Sequence, residues 1–331
     1  MDVREWLLAG DPAIRWQTLR DLCDAAPERV AAARARVAED GWGARLLALQ
    51  GPDGQWDGGA CFPGSGWPQA ERERGEQPWT STLPVLHLLC ELGVDPAHER
   101  VRRAVAAVRA GCRWEHAGQP FFAGEVEPCI NGRTLLLCAH FAEPCQALVE
   151  RLVAEQLADG GWNCAAENGS LRGSFATTIN VLEGLLAWER AQSGSAGGSE
   201  PVRAARRRGE EYLLERRLLR RKSTGQLIDP AWQELAFPTR WRYDVLRALD
   251  HLRAAARESG AAPDPRLGEA IALLREKRQP DGTWLLERTH PGRAPFALEE
   301  PGQPSRWNTL RALRVLRWWE AAPGVGAGYS A

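Results

Sequence analysis

The chain has 331 residues, with 42 Lys and Arg against 43 Asp and Glu, a net charge of −1. That balance excludes the basic footprint of a nucleic-acid-binding domain, and no stretch approaches the roughly 18 apolar residues of a membrane span, although peripheral membrane contact stays open. The start, Met1-Asp2-Val3-Arg4-Glu5-Trp6, lacks the apolar core of a secretory signal, and eight cysteines without C-x-x-C pairs read as reduced thiols of a cytoplasmic protein.

In chain order, the pattern alternates between two kinds of helix. Arg-, Glu- and Ala-rich amphipathic stretches are predicted near 2–9, 29–50, 97–111, 145–157, 202–220 and 265–278. More apolar helices are predicted to start near 12, 78, 129, 174, 238 and 304. Three of these starts share one pattern. They are Ile14-Arg15-Trp16-Gln17-Thr18-Leu19, Thr239-Arg240-Trp241-Arg242-Tyr243-Asp244 and Ser305-Arg306-Trp307-Asn308-Thr309-Leu310, each behind a Pro or a cap-like residue. Pro78-Trp79-Thr80, Pro128-Cys129-Ile130-Asn131-Gly132 and Ser174-Phe175-Ala176-Thr177-Thr178 are weaker copies. A repeat of this kind predicts an all-α fold of six helical hairpins, closed or nearly closed into an α6/α6 barrel. One domain over 1–322 is expected, with a flexible tail at 323–331 and a flexible Gly/Ser-rich loop at 192–199. The connections into the apolar helices are long, at about 51–77, 112–127, 158–173, 221–236 and 279–303, so a functional mouth is expected at the N-terminal ends of those helices.

Those long connections carry a motif: Gln50-Gly51-Pro52-Asp53-Gly54-Gln55-Trp56, Gln156-Leu157-Ala158-Asp159-Gly160-Gly161-Trp162 and a degenerate Gln279-Pro280-Asp281-Gly282-Thr283-Trp284. It resembles the QW motif of the squalene–hopene cyclase and protein prenyltransferase β-subunit superfamily, and the chain as a whole is similar to small bacterial squalene-cyclase-like proteins. The resemblance implies an α6/α6 toroid around an aromatic-lined cavity for an isoprenoid or similarly apolar ligand. The Asp and Trp of the motif read as structural, Asp-Gly making the turn. The cyclase D-x-D-D motif is absent. The prenyltransferase Asp-x-Cys zinc motif has a conservative counterpart in Glu127-Pro128-Cys129, but the later segment where a His is expected reads Ala176.

Cys164 lies at the same expected mouth, so Glu127, Cys129 and Cys164 are the candidate ligands of a zinc ion, with Cys61, His116 or His290 nearby to complete the set. Glu127, Glu125, Cys129 and Cys164 are the candidate catalytic groups. Trp16, Trp79, Phe175, Trp241, Tyr243 and Trp307 are expected to line the cavity, where each aromatic face is worth about 0.5 to 2 kcal/mol toward a cation; Asn131 is placed with them. Arg15, Arg240, Arg242 and Arg306 are expected to hold an anionic head group. The alternatives are a non-catalytic protein that binds a lipid or natural product in the same cavity, and a carbohydrate-active α6/α6 barrel.

Overall fold

The computed structural model describes residues 2–192 and 199–322. The expected tail at 323–331 and most of the Gly/Ser-rich loop therefore lie outside the described residues. The molecule is predominantly helical: α1 (Val3–Leu8), α2 (Pro12–Asp21), α3 (Pro27–Ala35), α4 (Gly41–Ala48), α5 (Gln69–Glu73), α6 (Thr82–Leu92), α7 (Glu99–Gly111), α8 (Pro128–Phe141), α9 (Gln146–Ala154), α10 (Phe175–Ala191), α11 (Ser199–Leu214), α12 (Val245–Ser259), α13 (Gly268–Glu276) and α14 (Arg306–Glu320). Among the described residues the sheet content is one antiparallel ladder, β1 (Trp284–Leu285) against β2 (Pro304–Ser305).

Local chemistry sets the starts of the buried helices. Asp11 accepts the Ala13 N–H ahead of Pro12, and Ser174, Asp244 and Ser305 cap α10, α12 and α14 in the same way. The partly buried Glu299 carboxylate adds bonds from the Arg306 and Trp307 N–H groups at 2.7 and 3.3 Å, which places a negative group at the positive end of α14. The sequence pattern predicted a helical run from Thr239, but the helix begins at Val245. Residues 239–242 instead form an irregular segment with Arg240 at φ +55°, because Asp244 supplies the cap. The stretch predicted as one helix over 29–50 is divided at Gly41, whose φ is +65° and where a Cβ would strike the Asp11 carboxylate.

The six most deeply buried helices are α2, α6, α8, α10, α12 and α14. Packing runs from α6 to α8, α8 to α10, α10 to α12, α12 to α14 and α14 to α2. Helices α2 and α6 are joined by side chains: Trp16 Nε1 donates to Leu92 O at 2.8 Å and Gln17 to Glu91 O at 3.0 Å. The α8–α10 contact is the tightest of these. A Cβ on Gly132 would lie 2.6 Å from Asn180 O, and one on Gly184 would lie 2.2 Å from Gly132 O, so the two backbones touch where no side chain fits.

The three loop motifs fold alike. In each, the Trp indole donates to an end carbonyl of the preceding helix at 2.7 Å: Trp56 to Leu46, Trp162 to Leu152 and Trp284 to Leu274. In each, the Trp backbone N–H donates to a threonine in the first turns of the following buried helix, namely Thr82, Thr178 or Thr309. Gln50 and Gln156 each bridge the carbonyl of their own turn to one in the next flanking helix, at Ala104 and Ala205; Gln279 donates instead to Lys277 O.

Candidate metal and cavity sites

The N-terminal end of α8 gathers the sharpest cluster. Glu127 precedes the helix, Pro128 occupies its first position, and Cys129 follows on the first turn. Cys164 enters from a short 3-10 helix, Cys164–Asn168, that is positioned by the Trp162–Thr178 bond one turn away. The ligand atoms of Glu127, Cys129 and Cys164 lie within 4.8 Å of one another, and all three side chains are partly exposed. Cys129 Sγ donates to Glu127 Oε2 at 3.4 Å, and Cys164 Sγ lies 3.4 Å from the Thr177 hydroxyl. The adjacent Cys164 sulfur, with desolvation, holds the Cys129 thiol well above the ordinary thiol range, and the same contact lowers that of Cys164. Two sulfurs and one carboxylate oxygen form a borderline-soft donor set that fits zinc and leaves a fourth position open. No histidine joins this group among the described residues. Cys61 is buried, its thiol pushed up to about 12 by desolvation, and His116 is exposed.

Glu125 does not stand free for acid–base work. Its carboxylate accepts the N–H groups of Val126 and Glu127, while Asn131 makes a reciprocal pair with the Glu125 backbone at 2.7 and 2.8 Å. Asn131 is fully buried and is a brace for this loop rather than a cavity residue. Arg151 completes the brace by donating to Glu125 O and Val126 O.

The predicted aromatic set divides into three. Trp16 and Trp307 line a central cavity of about 600 Å³, with Phe237 stacked on Trp307 at 4.4 Å. Trp79 and Trp241 do not sit on helices; they lie in the segments before α6 and α12 and pack on each other at 4.4 Å. Phe175 and Tyr243 belong to a separate aromatic cluster with Tyr212 and Trp232, and the Tyr243 hydroxyl donates to Leu218 O. Their hydrophobic faces are used up in packing, which is why they do not reach the cavity.

The predicted mouth arginines divide too. Arg15 is exposed and donates to Leu8 O; Arg306 donates to Trp6 O and covers the Trp6 ring; Arg242 is exposed. Arg15 and Arg306 are thus drawn to their own local partners rather than to a common anion site. Arg240 is buried over the Trp79 ring at 5.1 Å, with its pKa brought down to about 10 by desolvation.

The cavity is lined from all six buried helices, mostly by their middle and C-terminal turns, and it carries three carboxylates: Glu91, Glu183 and Asp250. Two of these are locked by arginine. Glu183 takes both nitrogens of Arg247 at 2.8 and 2.6 Å, and Asp250 takes Arg314 and Arg253. Glu91 differs. Among the described residues its carboxylate accepts from the Thr239 hydroxyl at 3.5 Å and lies 3.9 Å from His87, and burial raises its pKa against the opposing charges of Arg247 and Arg133. Sequence reasoning passed over Glu91 because a lone Glu at the C-terminal end of an apolar helix carries no motif.

No family model and no curated protein matches this chain. A crystal structure of a protein from Actinoplanes aligns over 87% of this chain and 99% of its own length, at 17% identity and a TM-score of 0.29. Agreement that loose carries no argument about fold or activity. No helix among the described residues is long and apolar enough to cross a membrane.

Proposed function

We propose that this chain is an α6/α6 toroid of the terpenoid-cyclase and prenyltransferase type, an enzyme that holds zinc through Glu127, Cys129 and Cys164 and takes an isoprenoid or similar substrate into its central cavity. The convergence of those three ligand atoms within 4.8 Å carries the reading, since Cys164 comes from a different loop than Glu127 and Cys129. The toroid is supported by the order of helix contacts, α6–α8–α10–α12–α14–α2, with Trp16 and Gln17 linking α2 back to α6. The threefold recurrence of the Trp–Thr bond supports it as well.

When bound, zinc supplies a Lewis acid that lowers the pKa of a coordinated water or thiol. The chain's own residues do the positioning. Asn131 and Arg151 fix the loop that presents Glu127, and Thr177 orients Cys164. Trp16, Phe237 and Trp307 offer aromatic faces to an apolar body. Elemental mass spectrometry of the purified chain tests the metal: stoichiometric zinc supports the reading, and its absence removes the zinc centre.

Glu91 favours a second reading, in which the cavity works without metal. A carboxyl whose pKa burial raises against the pull of Arg247 and Arg133, with no direct arginine hydrogen bond and in a cavity also lined by Trp16, Phe237 and Trp307, is suited to donate a proton to an alkene. Turnover of polyprenyl substrates that survives Cys129→Ala and fails in Glu91→Gln would decide for this reading over the zinc-dependent one.

A further inference from the structure

The central cavity is lined by seven arginines against three carboxylates. The excess gathers at one wall. Arg253, Arg311 and Arg314 all reach Asp250: Arg253 Nε at 2.9 Å, Arg311 Nε at 3.8 Å, and Arg314 through both ends of its fork. Arg314 also reaches Asp21 at 3.2 Å, where Arg20 and Arg257 already pair. Five arginines thus share two aspartates. The side chains of Arg253, Arg311, Arg314 and Asp250 are only 7, 7, 11 and 13% exposed. Positive charge in such a place costs free energy unless an anion offsets it.

The donors for that anion are present. Arg253 donates only through Nε, so both of its terminal nitrogens are unused among the described residues. Arg311 donates one long hydrogen bond, from Nη1 to Ala236 O at 3.3 Å, and leaves Nη2 unused. A guanidinium fork matches the two oxygens of a carboxylate or a face of a phosphate. Trp16, Phe237 and Trp307 supply apolar surface in the same cavity, and about 600 Å³ suits a ligand of small-molecule size.

We propose that the central cavity is a binding site for a small organic anion with an apolar body, its carboxylate or phosphate held by Arg253 and Arg311 beside the Asp250 cluster. The site is independent of the thiol cluster and does not rest on zinc.

Calorimetric titration of the full chain with benzoate, phenyl phosphate and uncharged benzyl alcohol tests it. At least one anion is expected to bind ~tenfold or more tightly than the alcohol, and to lose ~tenfold in affinity in both Arg253→Gln and Arg311→Gln. Arg103→Gln, on the exposed face of α7, is expected to bind as the parent does. Tighter binding of phenyl phosphate assigns a phosphate head, and tighter binding of benzoate a carboxylate. Circular dichroism checks that each variant is folded; if Arg253→Gln unfolds, Arg311→Gln decides. Three results overturn the proposal: no binding of either anion at millimolar concentration, equal binding of the alcohol, or anion affinity unchanged in the folded arginine variants.

Discussion

The backbone N–H of Trp162 donates to the Thr178 hydroxyl at 3.0 Å, and this bond fixes the loop carrying Cys164 to the helix start carrying Thr177. The same bond occurs from Trp56 to Thr82 and from Trp284 to Thr309, at 3.1 and 2.9 Å. All three threonines are fully buried. Thr178→Val keeps the shape of the side chain and leaves a buried N–H unpaired. A loss of about 1–3 kcal/mol in urea unfolding is expected. Unchanged stability would show that the loop is held by its other contacts.

Buried histidines and arginine-paired carboxylates give the chain a defined acid response, and His140 and Asp21 illustrate the two kinds. His140 is buried, its pKa lowered to about 4 chiefly by desolvation, and the neutral ring contacts Val94 O through Nε2 at 3.0 Å. The unfolded chain takes up a proton near 6.5 and the folded chain resists it, so stability is lost as the pH falls from 6.5 toward 4. Asp21 behaves in the second way. Burial would raise its pKa, but Arg20 and Arg314 outweigh that and hold it at about 2. Its contribution is present above 3.8 and is lost as the pH falls toward 2. Unfolding free energies measured from pH 8 to 2 are expected to fall in two stages. His140→Gln should remove that residue's share of the first stage, about 3 kcal/mol, while the shares of His87 and His290, lowered likewise by burial, and the second stage remain.

Asp250 is the hub of the arginine cluster, and its own carboxyl is held far below the usual carboxylate range by Arg314 and Arg253 against the cost of burial. Asp250→Ala removes the shared carboxylate from three guanidiniums, of which only Arg314 keeps a second carboxylate, Asp21. A destabilisation of about 3–5 kcal/mol is expected by denaturant unfolding. An added organic anion should recover part of it if the cavity binds anions.

Helix starts governed by neighbours in sequence were legible. Asp11-Pro12, Ser174 and Ser305 sit where capping chemistry places them, within a residue or two of the expected positions. The start near 238 was misplaced because Pro238 and Trp241 imitate the repeat while Asp244 provides the working cap. The pairing of Cys129 with Cys164 followed from two loops expected at the same end of the molecule. The charged cavity wall was not legible. The helix starting near 304 counted among the more apolar ones, and the partners of Arg311 and Arg314, Asp21 and Asp250, lie on α2 and α12, far away in the chain. Side chains such as Tyr243 and Asn131 were assigned to the cavity by their place in the repeat, yet the Tyr243 hydroxyl and the Asn131 amide are spent on backbone groups.

The most direct test of the proposed centre is elemental mass spectrometry on untagged protein, run alongside Cys129→Ala and Cys164→Ala. Near-stoichiometric zinc in the parent chain, lost from both variants, is the result expected of a site shared by the two thiols and Glu127. A parent chain with no bound metal, or zinc retained in both variants, would contradict it.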